Sequence, residues 1–161
     1  MQSRADDRDP ALVLRAATQD DLATLLAFEQ AIIAAERPYD ETLRAGEIHY
    51  YDLAALLNAQ EARVLVAELD GRIIGSGWAQ LRDSVAYVDH LRHAVLGFMY
   101  VVPDARGRGV NARIVDALAE WSRTQGVTEL VLEVYAGNEP ALRAYRRAGF
   151  RARLVEMRRA L

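Results

Sequence analysis

Residues 101–111 read V-V-P-D-A-R-G-R-G-V-N, and they join an apolar run to an amphipathic one. Before them, residues 94–102, A-V-L-G-F-M-Y-V-V, carry no charge and are rich in aromatic and β-branched types, which predicts a buried central strand. After them, Val110, Ile114, Leu118 and Trp121 recur at helical spacing, Arg113, Asp116, Glu120 and Arg123 take the other faces, and Gly126 stops the pattern. Gly107 and Gly109 sit between strand and helix, where a chain without Cβ atoms turns tightly and aims successive N–H groups into one concavity. Such a concavity suits an anion, and Arg106 and Arg108 add positive charge at its rim. The junction lacks the Lys-Ser/Thr ending of a Walker loop, and its glycines do not follow the dinucleotide G-x-G-x-x-G spacing. From these residues alone two readings stand level: an anion-binding loop, or a solvated Gly/Arg turn that starts a helix.

Working outward, residues 11–16 predict a first strand, and Thr18 with Asp20 and Asp21 predicts a helix start. That helix places Leu22, Leu25, Leu26, Glu29 and Ile32 or Ile33 on one broad face and ends at Arg37-Pro38. Residues 39–46 read as a loop, and 49–59 as a short helix burying Leu53, Leu56 and Leu57. Asp70-Gly71 between the runs 63–69 and 72–81 is a strong hairpin signal, and Gly75 and Gly77 mark a bulge or a close backbone approach in the second strand. Residues 82–93 are polar and turn-like. Past the central helix, 129–135 predicts a strand, Asn138 starts a helix that Gly149 ends, and 150–161 predicts a last strand. The expected order is β-α-α-β-β-β-α-β-α-β, an α/β (α+β) fold in which a mixed sheet carries helices on both faces.

The 161 residues fit one domain, expected over 11–161 behind a flexible lead-in of 1–10. A net charge of −3 gives no sign of a nucleic-acid partner. The absence of cysteine removes a thiol nucleophile, a disulfide framework and any Cys-based metal site, and no metal site is expected. No apolar run approaches the roughly 20 residues that span a bilayer, and the charged N-terminus is no signal peptide. A soluble, cytoplasmic protein is the default expectation.

The junction resembles the acyl-CoA diphosphate loop of the GNAT superfamily of N-acetyltransferases, whose pattern is Arg/Gln-x-x-Gly-x-Gly/Ala. Val101, Pro103, and Arg106-Gly107-Arg108-Gly109-Val110 carry the likeness, and Asn111 departs from it, standing where the family has Gly or Ala. A second run, Asn138-x-x-Ala141-x-x-Ala144-Tyr145-x-x-Ala148-Gly149-Phe150, resembles the family's C-terminal signature. The element order is similar to the GNAT fold from about residue 11 onward, with one closing strand instead of the usual two. The resemblance implies a mostly antiparallel sheet splayed at its central strands, and acetyl-CoA as cofactor. It assigns cofactor contacts to Met99, Tyr100, Val101, Val102, Arg106, Gly107, Arg108, Gly109, Val110, Asn111, Asn138 and Tyr145. An edge left by the missing strand admits a homodimer.

Acetyl transfer from a thioester needs a neutral amine, a donor facing the carbonyl oxygen and a proton for the leaving thiolate. By resemblance Tyr145 gives that proton and a backbone N–H near Met99 to Val102 meets the carbonyl. Glu133 is expected as the base, provided it is buried; Asp89, His90 and His93 compete with it. Acceptor contacts are expected from Glu36, Tyr39, Asp40, Tyr51 and His93, with Glu36 and Asp40 suited to an ammonium, and Arg143, Arg146 and Arg147 lie where a 3′-phosphate would meet them. Without cysteine, the amine attacks directly in a ternary complex. The expected acceptor is a small-molecule amine; a protein N-terminus or lysine, and a CoA-binding regulatory module without turnover, are the rival readings.

Overall fold

Asp70 and Gly71 both adopt left-handed backbone, with φ of 50° and 78°, as a tight hairpin turn of the primed type requires. The chain therefore reverses sharply between β2 (Ala62–Leu69) and β3 (Arg72–Asp83). In this computed structural model, which describes residues 12–161, β3 pairs in turn with β4 (Arg92–Val101), and β1 (Val13–Ala16) pairs with β2, all antiparallel. The short β5 (Leu130–Leu132) joins β4 in parallel, so the five strands lie in the order β1-β2-β3-β4-β5. The lead-in expected for residues 1–10 lies outside the described residues.

Helices cover both faces of this sheet. On one side α1 (Leu22–Glu36) and α2 (Leu53–Asn58) are packed, with Phe28 against Tyr100 at 4.7 Å between ring centroids. Tyr51, just ahead of α2, meets Trp78 and Phe98 edge-on from the same side. The opposite face takes α3 (Val110–Thr124), which buries Val110, Ile114, Val115 and Leu118 as its spacing predicts. Gly75 and Gly77 let it approach: a Cβ on Gly77 would stand 2.8 Å from Ile114 and 2.6 Å from the sulfur of Met99. α4 (Glu139–Arg147) follows β5, and the Asn138 side chain caps it by accepting from the Ala141 amide at 3.3 Å.

The entry to α1 is held by charge. Asp21 accepts both Nη groups of Arg15 at 2.8 and 3.0 Å and the Thr18 amide at 2.8 Å, tying β1 to the helix start. No helix among the described residues is long and apolar enough to cross a membrane.

Three expectations need correction. Residues 150–161 form no strand: Phe150 packs against the core, and the chain from 151 on is exposed and pairs with nothing in the sheet. Its composition explains this, because arginines and apolar residues are mixed on both period-two faces and neither face offers an apolar stripe to a core. Leu154, Val155, Met157 and Leu161 are accordingly exposed. The strand expected over 129–135 is cut to three residues, and the second helix begins at Leu53 instead of His49. The latter start is marked by Asp52, whose side chain accepts from the Ala55 amide at 2.9 Å and caps the helix one residue before Leu53.

Candidate active site

The sheet opens at its centre. β4 and β5 are paired only from Ala94↔Leu130 to Leu96↔Leu132, whereas β4 runs on to Val101. Beyond Leu96 its β5-facing backbone groups have no strand partner among the described residues. A bulge falls at the same place: Trp78 opposes Gly97 and Ser76 opposes Tyr100, leaving Phe98 and Met99 opposite Gly77 alone. Phe98 takes φ of 57°, an uncommon conformation for a bulky residue, and the fully buried Ser76 hydroxyl donates to its carbonyl at 3.2 Å. The glycine at 97 is required as well, since a Cβ there would lie 2.5 Å from the Trp78 ring.

From the end of β4 the chain makes a short 3-10 turn, Pro103–Ala105, and then the glycine loop. Gly107 and Gly109 adopt left-handed backbone, φ 76° and 74°, and Gly109 caps the N-terminus of α3. A Cβ at either position would meet nothing within 4 Å and both glycines are exposed, so the space in front of the helix's first amides, which have no intrahelical acceptors, is open. Arg106 donates to the Val101 carbonyl at 3.0 Å and places its guanidinium 5.9 Å from the Tyr100 ring, while Arg108 is exposed. Asn111 lies within the first turn of α3 in ordinary helical structure, so the departure from the loop pattern does not break the helix start. An open helix N-terminus flanked by two arginines suits an anionic ligand.

A cleft of about 540 Å³ runs from the bulge between the helices and the split strands. Glu36 from the end of α1, Tyr50, Tyr51, Trp78, Glu133 and Tyr145 all line it. The phenol of Tyr145 is pushed up to about 12, chiefly by burial and then by the charge of Glu36, and so stays protonated through the neutral range. Tyr51 is likewise pushed up to about 12 by burial. Two buried polar atoms of this lining, the Tyr50 hydroxyl and the Trp78 indole N–H, have no hydrogen-bond partner of good geometry among the described residues. Native structures seldom leave such groups orphaned, and here both line a cleft able to hold a ligand.

The predicted acceptor residues divide. Glu36 and Tyr51 line the cleft; Tyr39, Asp40 and His93 do not. Asp40 is committed elsewhere: it accepts the Thr42 hydroxyl at 2.6 Å, the Thr42 amide at 3.0 Å and Arg158 at 2.8 Å, and these hold its carboxyl down to about 2. Tyr39 stacks on Tyr135 at 6.1 Å. The His93 ring is bonded to the Ser84 hydroxyl at 3.0 Å, and His90 pairs with Glu129 at 2.8 Å, away from the cleft lining. Arg143, Arg146 and Arg147 are exposed on α4. Glu133 reaches the cleft from just beyond β5 but is exposed, so the burial expected of it as a base is absent.

Two contributors escape a reading of the sequence. Glu29, wholly buried on α1, accepts the amides of Tyr50 and Tyr51 at 2.9 and 3.0 Å and the His49 ring at 2.7 Å. It thereby sets the wall that carries both tyrosines, and its one advance signal is a carboxylate on an apolar helix face. Trp78 is signalled only by small residues on both sides of it in its strand.

Residues 27–150 match the family model described as the acetyltransferase (GNAT) family. The mycothiol acetyltransferase of Clavibacter michiganensis subsp. michiganensis is 31% identical over 152 residues, covering 91% of this chain and 44% of that protein. This chain thus spans less than half the length of that relative. The aminoglycoside N(6')-acetyltransferase type 1 of Klebsiella aerogenes is 32% identical over 106 residues, covering 63% of this chain and 70% of its own. Among solved structures, the aminoglycoside N-acetyltransferase AAC(6')-Iy in complex with CoA has a TM-score of 0.77 and 21% identity, covering 98% of this chain and 100% of that one. At that identity the likeness is one of fold.

Proposed function

Because the chain belongs to the GNAT family of acetyltransferases, we propose that it moves an acetyl group from acetyl-CoA to the primary amine of a small molecule. The observation that carries this reading is a convergence. The unpaired side of β4 and the open N-terminus of α3 are separated by one short turn, and the first leads into the cleft lined by Tyr145.

When bound, acetyl-CoA supplies a thioester carbonyl open to attack and a thiolate leaving group. The amides at the start of α3, with Gly107 and Gly109 leaving room and Arg106 and Arg108 at the rim, hold the diphosphate. The backbone groups of β4 beyond Leu96 that have no β5 partner would hold the amides of the pantetheine arm, and an N–H near Met99 to Val102 would donate to the carbonyl oxygen as it gains charge. Tyr145 keeps its proton until the thiolate needs it. Asn138, already committed to capping α4, orders the helix that presents Tyr145. Glu133, exposed at the lip of the cleft, favours positive charge on an arriving acceptor. No cysteine is present to carry the acetyl group, so the amine attacks directly.

A small, cationic acceptor is supported by the phenols and carboxylates of the cleft lining and by relatives named for acetylating mycothiol and an aminoglycoside. The test is acetyl-CoA-dependent thiol release across amino sugars, aminoglycosides, polyamines, amino acids and short peptides, with CoA binding measured by calorimetry. Turnover confined to peptides would replace the small-molecule reading. Tight CoA binding without turnover on any acceptor would leave a regulatory module, and absence of CoA binding would remove the proposal.

A further inference from the structure

Three carboxylates stand on the acceptor side of the sheet, and the fold treats them differently. Glu29 has three donors and no exposure. Asp40 is saturated by Thr42, Arg158 and, at 3.4 Å, the Tyr135 hydroxyl. Glu36 is half-buried at the last turn of α1, lines the cleft, and makes neither a salt bridge nor a hydrogen bond of good geometry among the described residues. The Tyr50 phenol stands beside it as a neutral donor, but no cation does; a carboxylate taken partly out of water without a cation costs stability, and here it lines the cleft.

We infer that Glu36 binds the ammonium group of the acceptor and takes its proton, making it the catalytic base. This deepens the acetyltransferase reading and rests on it.

The groups facing Glu36 support the assignment. The neighbouring segment presents Tyr50 and Tyr51, whose phenols burial holds in the neutral form, and Tyr145 does the same from α4. Tyr135, beyond β5, is kept protonated by burial, then by the charges of Asp40 and Glu36. Of the charged residues that line the cleft, Arg82 on β3 bonds Gln80 at 3.2 Å, Asp52 caps α2 by accepting from Ala55 at 2.9 Å, and Glu133 is exposed. No cation is therefore paired with Glu36, and aromatic rings around a carboxylate form a natural receptor for an ammonium. Burial raises the Glu36 carboxyl above its ordinary value, which narrows the gap in basicity to an amine. Tyr145 and Glu36 thus divide the proton work. The ammonium proton passes to the Glu36 carboxylate; the amine's lone pair forms the C–N bond as the C–S bond breaks; the departing thiolate takes the Tyr145 proton. The excess proton left on the acylated nitrogen returns to the Tyr145 phenolate, and solvent removes the proton from Glu36, so that one proton is released for each acetyl group moved.

The sign of the pH effect follows. Glu36 works only when ionised, so turnover rises with pH through its raised pKa, and the amine-dependent kcat/KM shows an acid limb above the usual carboxylate range. The experiment compares wild type, Glu36→Gln, Glu36→Asp and Glu133→Gln on whichever amine the wild type acetylates, with kcat/KM across pH and CoA affinity by calorimetry. Glu36→Gln is expected to lose roughly 100-fold in kcat at neutral pH, to bind CoA as before, and to recover toward wild type at high pH, where the amine sheds its proton unaided. Glu36→Asp should retain the acid limb at lower rate. Full neutral-pH turnover in Glu36→Gln, or transfer of the limb's loss to Glu133→Gln, overturns the inference alone. Wild type without thiol release on any amine overturns the acetyltransferase reading, and this inference with it.

Discussion

The two parts of the proposed site, the cofactor side and the acceptor side, are built on opposite plans. The half assigned to the cofactor is contiguous, residues 97–111, and consists mainly of backbone: a bulge at Phe98, an unpaired strand edge, two left-handed glycines and a helix start. The half assigned to the acceptor is gathered from α1, the segment before α2, β3, the end of β5 and α4, and consists of side chains. Backbone geometry recognises what every thioester of one carrier has in common. Side chains contributed by distant segments can be exchanged one at a time, so on the proposed function it is this half that would set the choice of amine.

Substitutions that separate the halves would sharpen that contrast, and the largest effect is expected where they meet. Tyr145→Phe should lower kcat by about 100-fold while CoA affinity holds, in a chain whose Tyr145 lies in the cleft with its proton retained. Equal turnover across pH would strip Tyr145 of its acid role. In the backbone half, Gly109→Val places a β-branched side chain at φ 74° in the open space before α3. The left-handed strain alone is roughly 1–2 kcal/mol, and CoA binding by calorimetry should weaken by about tenfold or more, with the KM for amine little changed. Unaltered affinity would reduce the loop to a turn.

On the side-chain half, Glu29→Gln turns an NH2 toward groups that donate to the carboxylate now. Its expected signature is a severalfold rise in the amine KM, unchanged CoA affinity, and a stability loss of about 1–3 kcal/mol in urea. A change in CoA affinity instead would dissolve the division between the halves. The smallest effect concerns the frame common to both. Arg15 holds Asp21 down to about 2 from an ordinary 3.8. Asp21 thus adds stability that is complete above the unfolded value and lost as pH falls toward 2. Asp21→Asn should flatten the acid side of the unfolding midpoint against pH in that window alone.

The same contrast explains what could be read in advance. The Asp70-Gly71 turn, the central helix and the glycine loop were legible because each is set by local backbone preference. Glu36 and Tyr51 were expected as acceptor residues by resemblance and both line the cleft, yet what distinguishes Glu36 from Asp40 is the company each keeps after folding: Thr42 and Arg158 for Asp40, neutral phenols for Glu36. Glu133 shows the limit of alternation along a strand, since β5 stops at Leu132 and the residue beyond it is no longer held to a face. The closing strand failed for a physical reason too: residues 150–161 have the length of a strand but lack a period-two apolar face to bury.

Sheet order also has a kinetic meaning. β2, β3 and β4 are neighbours in space as they are along the chain, joined by a two-residue turn and a short loop, so their contacts close early and at small entropic cost. β5 arrives only after α3 and rests on a ladder of three residue pairs. Refolding is therefore expected to protect the amides of β2 and β3 before those of Leu130–Leu132, as pulse-labelled hydrogen exchange would record; simultaneous protection would mean a single nucleus. On this order the protein acquires a sheet first and an opening in it last, and a nascent chain cannot bind its thioester until almost everything else is in place.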